Sequence, residues 1–176
     1  MRSARMHHGW LFVGPEGVGK ATAATALAKR SLCEAADPAL PRDGLEVPAG
    51  HPIGKLVEAH THPDFILLER LPKDLKAIRD VERRDWPTDI ERARNITIDQ
   101  VRALGSIFAL TPTYSRSRVV LVDAIDDMER GAANALLKSL EEPPQGTIFL
   151  LVSHAPGRLL PTIRSRCRSL RFGALG

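Results

Sequence analysis

Seven residues, Gly14-Pro15-Glu16-Gly17-Val18-Gly19-Lys20, narrow the folds open to this chain more than any other segment. A short apolar stretch, Trp10 to Val13, runs into them, and an alanine-rich stretch without a breaker, Lys20 to Cys33, leads away. Strand, glycine-rich loop and helix in that order form the setting in which backbone N–H groups wrap phosphates. The glycines permit backbone angles and close approaches that a side chain would obstruct, and the helix N-terminus adds partial positive charge. Gly14, Gly17 and Gly19 are therefore candidate nucleotide-binding positions, with Lys20 placed to reach the β and γ phosphates.

The rest of the chain repeats the alternation. Phe65 to Leu68, Val119 to Val122 (ending in Asp123) and Thr147 to Val152 are short, almost continuously apolar runs separated by helical patterns. Strands buried on both faces read this way, which predicts a parallel sheet covered by helices. Arg168 to Phe172 is expected as a fifth, edge strand. Helices are expected at Val101 to Leu110, behind the capping candidates Thr97 and Asp99, and at Ala132 to Glu142, stopped by Pro143-Pro144. The predicted fold is thus α/β: a phosphate-loop NTPase-type three-layer sandwich on a five-stranded parallel sheet.

A chain of 176 residues buries roughly 70% of its unfolded surface, so the core needs neither disulfide nor metal. Cys33 and Cys167 are the only cysteines, too sparse for a disulfide framework, and a reducing cytoplasmic setting fits them. No apolar run nears the roughly 20 residues of a membrane span, and Met1 to His8 has no stretch like a signal peptide. Twenty-five basic and 21 acidic residues give a net charge of +4, too modest to imply nucleic-acid binding by itself. Asp37 to Pro52 reads as a surface loop. Glu69 to Arg94 is a charged insertion with eight basic and seven acidic residues, a mixture expected of a solvated face rather than a nucleic-acid site. His51, His60 and His62 lack the paired spacing of a zinc site, so no metal is predicted.

Two positions depart from the chemistry the loop implies. Ala21 stands where the motif carries the Ser or Thr hydroxyl that binds magnesium. Thr22 is one place on, rotated by about 100° around the helix. The third strand resembles a Walker B strand, which implies that its terminal Asp123 holds magnesium; in the hydrolysing AAA+ proteins it resembles, a glutamate follows, and here it is Ala124. Asp126 and Asp127 are displaced and expected to point elsewhere. Ser153, at the end of the fourth strand, stands where AAA+ proteins, which these strands resemble, place a polar sensor of the γ phosphate, and by itself reads as a strand-end serine.

Taken together, these segments resemble the first domain of the AAA+ clamp-loader subunits of bacterial DNA polymerase III, the delta-prime branch above all. The resemblance rests on His7-His8, the phosphate loop, His62-Pro63-Asp64 and Ile98-Asp99-Gln100-Val101-Arg102. It continues through the third strand, Asn134 to Pro144, and Leu160 to Cys167. It implies a RecA-like AAA+ domain over 1–176, a fragment without the lid and collar domains that follow in the family. It also implies that Ser165-Arg166-Cys167 presents Arg166 as an arginine finger to ATP on an adjacent subunit.

The function implied is that of a stator with a degenerate ATP site, which requires no cofactor of its own and leaves ATP binding open. Its implied partners are the gamma/tau and delta subunits and, through the assembly, the sliding clamp and primed DNA, with no membrane. The alternative is an ATP-hydrolysing gamma/tau-like motor, favoured by Lys20 and Asp123 and opposed by Ala21 and Ala124.

Overall fold

The computed structural model describes residues 7–174. Five strands form one parallel sheet: β1 (Gly9–Val13), β2 (Phe65–Glu69), β3 (Arg118–Asp123), β4 (Thr147–Ser153) and β5 (Arg168–Arg171), in the spatial order β2-β3-β4-β1-β5. The expected fifth strand is present at the edge, hydrogen-bonded to β1. Because strand side chains alternate between faces, β3 sends Val119 and Leu121 to one side of the sheet and Val120 and Val122 to the other. All four are buried.

Each face has its own helical layer. On one, α1 (Lys20–Ala36) lies against β3 and β4 through Ala24 and Ala28, whose small side chains let the helix sit close, with Leu32 extending the contact. A short helix, α2 (Pro52–Glu58), packs beside α1 through Ile53 and Val57. On the other face, α3 (Ile98–Phe108) and α4 (Arg130–Glu141) pack on each other and bury Val101, Leu104, Leu136 and Leu140 against Phe149 and Leu151. Another short helix, α5 (Pro161–Arg166), follows through Ile163. The result is the predicted three-layer sandwich.

Local chemistry sets the boundaries. α3 starts three residues before the expected Val101, because Thr97 forms a capping box with Gln100: Gln100 N donates to Thr97 Oγ1 and Thr97 N donates to Gln100 Oε1 at 2.9 Å. Gln100 Nε2 also donates to Glu69 O at 2.9 Å, fastening the helix start to the end of β2. α4 ends at Glu141, one residue short of expectation, with Glu142 as its cap before the prolines. Among the described residues no helix is long and apolar enough to cross a membrane.

Candidate functional site

β1 delivers the chain to the phosphate loop and α1 takes it away, starting at Lys20 itself. Gly17 and Gly19 have φ of 79° and 93°, conformations that L side chains adopt only with strain. Lys20 is buried, and its Nζ donates to Gly14 O at 2.6 Å and to Pro15 O. The ammonium is thereby laid along its own loop. Gly14 N donates to Ser153 O at 3.3 Å, which ties the loop to the end of β4.

Asp123 ends β3 in register with Glu69 at the end of β2. Both line a cleft of about 340 Å³ together with Ala21, Thr22, His60 and Arg83. Burial pushes the Asp123 carboxyl above its usual range, and the neighbouring Glu69 charge pushes the same way. Ala124 is buried. Asp126 accepts from Ser153 Oγ at 2.7 Å and from His154 N at 2.6 Å. Ser153 therefore reaches this end of the sheet, but its hydroxyl is engaged by Asp126. Asp127 accepts from Ala124 N at 3.4 Å and lies 3.7 Å from Arg70.

The residue that sequence reading missed is Arg83. It comes from the charged insertion and reaches back to Glu69, donating through Nε to Oε1 and through Nη2 to Oε2 at 2.8 Å. Arg92 Nη1 lies 3.3 Å from the same carboxylate. Both guanidiniums also lie over the Trp86 ring, its centroid 4.9 Å from Arg83 Cζ and 5.7 Å from Arg92 Cζ, in the range of cation–π contact. Nothing in the mixed charges of this stretch singles out Arg83. The remaining charges of the insertion fit the solvated-face expectation, with Lys73 on Glu91 and Arg84 on Glu82 at the surface.

The loop motif implies a magnesium ion, which takes oxygen ligands in a near-octahedral set. Ala21 offers a methyl group where the hydroxyl belongs, Glu69 is engaged by two arginines, and a third wall of the cleft is the Arg83 guanidinium. Asp123 is left as the one uncommitted carboxylate among these groups. The residues present do not fit the ion.

The three late arginines divide. Although the alternation of the three along the sequence suggests an extended segment, Arg164 and Arg166 lie on α5 and Arg168 lies on β5. Two residues apart on a helix, they face different ways. Arg164 lines a cleft of about 560 Å³ beside Gly14, Pro15 and His154. Arg166 turns toward the end of α4, with Nη2 3.3 Å from Glu141 Oε1 and side-chain exposures of 49% and 42%. Its root is tightly held: a Cβ placed on Gly9 would lie 3.2 Å from Arg166 O and 3.1 Å from Cys167 Sγ. Burial raises the Cys167 thiol to about 11, leaving it inert at neutral pH.

The histidines go separate ways. His51 lies 3.4 Å from Asp37 and His60 lines the Asp123 cleft. His62 packs on Tyr114 and accepts from Asp64 N at 3.0 Å, while Asp64 takes Thr113 N at 2.8 Å. His62-Pro63-Asp64 thus shapes the entry to β2 and holds the loop before β3.

A family model described as DNA polymerase III, delta subunit, matches residues 1–176. Among curated proteins, the chain is 39% identical over 164 residues to DNA polymerase III subunit delta' of Pseudomonas aeruginosa, covering 93% of this chain and 42% of that protein. It is 34% identical over 171 residues to the subunit delta' of Bacillus subtilis, covering 97% and 44%. It therefore spans less than half the length of these relatives. Among solved structures, a DNA polymerase III gamma subunit-related protein from Thermotoga maritima superposes with a TM-score of 0.58 at 20% identity, covering 97% of this chain and 43% of that one. That likeness carries the fold. The match along the whole chain, on a sheet and loop of the kind described, places this chain in the DNA polymerase III delta-subunit family, among relatives named delta'.

Proposed function

We propose that the chain works as a clamp-loader stator: a cytoplasmic subunit with a degenerate ATP site of its own that supplies Arg166 as an arginine finger to a neighbouring ATPase subunit. The neighbours would be gamma/tau and delta subunits, and the work of the assembly would be loading the sliding clamp on primed DNA. No cofactor is required of this chain, and no metal.

The observation that carries this reading is the placement of Arg166. Its guanidinium lies half-exposed at the end of α5, held, among the described residues, by a single surface carboxylate, Glu141. Exposed pairs of this kind are worth about 0–1 kcal/mol, so a phosphate on another molecule competes easily for the arginine. Ala21 and Ala124 argue in the same direction, since they remove the hydroxyl and the carboxylate that turnover in its own cleft would use. A gamma/tau-like motor remains the alternative that Lys20 and Asp123 favour. Lys20, however, is engaged by its own loop carbonyls.

The test is to reconstitute the loader with Arg166→Ala. Assembly is expected to be intact and ATP turnover depressed by several orders of magnitude at most, since a finger of this kind is worth about 10³–10⁵ in rate. Unchanged turnover rejects Arg166 as the finger. Steady hydrolysis of magnesium ATP by this subunit alone would return the motor reading.

A further inference from the structure

The misfit between this cleft and magnesium has a counterpart in the Arg83 side chain. A guanidinium carries five N–H donors. The two hydrogen bonds to Glu69 use Nε and one hydrogen of Nη2, and Nη1 has no partner among the described residues. The side chain is 31% exposed and lines the same cleft as Ala21, Thr22 and Asp123. It is also fixed in place: Glu69 holds its edge, the Trp86 ring covers its face, and Gln100 fastens the Glu69 backbone to α3. A positioned, positively charged fork with unused donors therefore lines the cleft that holds Ala21 and Asp123, the two positions the motif assigns to a cation.

The surrounding charges agree. Glu69 and Asp123 are the carboxylates at this end of β2 and β3, and Arg83 and Arg92 are the guanidiniums set against them. The Glu69 charge is already answered by the protein, and a divalent ion added beside Arg83 would be repelled. Burial, and then the Arg83 charge, lower the pKa of His60, which also lines the cleft. Guanidinium is well matched to phosphate oxygens, which it binds through paired N–H donors.

We propose that Arg83 takes the place of the divalent cation at this phosphate loop, so that the cleft binds the phosphates of a nucleoside di- or triphosphate in metal-free form. This concerns the chain's own cleft and does not rest on Arg166. Turnover in the assembly and binding by the isolated protein are separate readouts, and either can fail alone.

The experiment is calorimetric titration of the protein with ATP, once in EDTA and once in excess magnesium. The expected result is saturable binding in EDTA at least as tight as in magnesium. Arg83→Gln is expected to weaken binding in EDTA on the order of tenfold or more, the size of one charge-assisted hydrogen bond, and Arg83→Lys to retain part of it. Binding that requires magnesium, absence of binding in both conditions, or an Arg83→Gln variant that binds like the parent would each overturn the proposal. The comparison of EDTA with magnesium needs no variant, so it decides even if Arg83→Gln fails to fold.

Discussion

Glu69→Gln keeps the shape of the side chain and removes the charge on which the insertion is fastened. Glu69 is 10% exposed and faces two guanidiniums that are themselves 31% and 26% exposed. Hydrogen bonds to charged groups contribute about 1.5–3 kcal/mol each. Both arginines retain some contact with water and regain hydration once released, so the full sum does not apply. About 2–3 kcal/mol is a reasonable net cost. In a domain of this size each kcal/mol lowers the unfolding midpoint by about 2–4 °C, so a fall of about 4–12 °C is expected in thermal unfolding at neutral pH. Trypsin should cut faster after the exposed Lys73, Lys76 and Arg79, since the insertion loses its hold on the sheet. In a double-mutant cycle with Arg83→Gln the second substitution should cost less than it does alone. A midpoint shift under about 1 °C would show that the cluster is an ordinary surface ion pair, and the reasoning about Arg83 as a fixed group would fall with it.

Two other substitutions test the fold, one at the start of β4, away from the site, and one in the site itself. Gly146 has φ of 77°, and a Cβ there would lie 1.9 Å from Arg116 O; Gly146→Ala should cost about 3 kcal/mol, combining left-handed strain with a backbone clash, and an unchanged denaturation midpoint would contradict this. The folded-state pKa of Asp123 is raised above its ordinary value of 3.8, by burial first and Glu69 second. The folded protein therefore binds that proton more readily than the unfolded chain, and the stability linked to the neutral form is complete below the unfolded value and is lost as pH rises through the folded one. Asp123→Asn should raise the unfolding midpoint by a few degrees at pH 7 and have little effect near pH 3; equal midpoints at pH 7 would refute the assignment.

The layered fold was legible in the sequence because strands buried on both faces leave almost no choice of residue. Val119 to Val122 and Thr147 to Val152 are apolar throughout, for the physical reason that helices cover both sides of β3 and β4. The phosphate loop was legible because its glycines do a backbone job that no other residue does as well. Two short helices were not. α2 directly follows the proline-rich loop, and only its Ile53 and Val57 spacing and the proline in its first turn mark it. α5 was hidden by Arg164, Arg166 and Arg168, whose alternation suggests an extended segment although Pro161 opens a helix. The pairing of Arg83 with Glu69 was least legible of all: they lie 14 positions apart along the chain, and no periodicity connects an arginine of the insertion to a strand-end carboxylate.

The close packing of Gly9 on the backbone of Arg166 and Cys167 bears on how a finger at this position would operate. From there the chain passes directly into β5, whose Arg168 is paired with Trp10 of β1, so the attachment point is tied to the sheet. All freedom resides beyond the α-carbon, in one side chain whose rotamer entropy is about 2 kcal/mol. That sum is the upper bound on what immobilising the guanidinium against a neighbour's phosphate would cost within this subunit, because the scaffold is ordered before any encounter takes place.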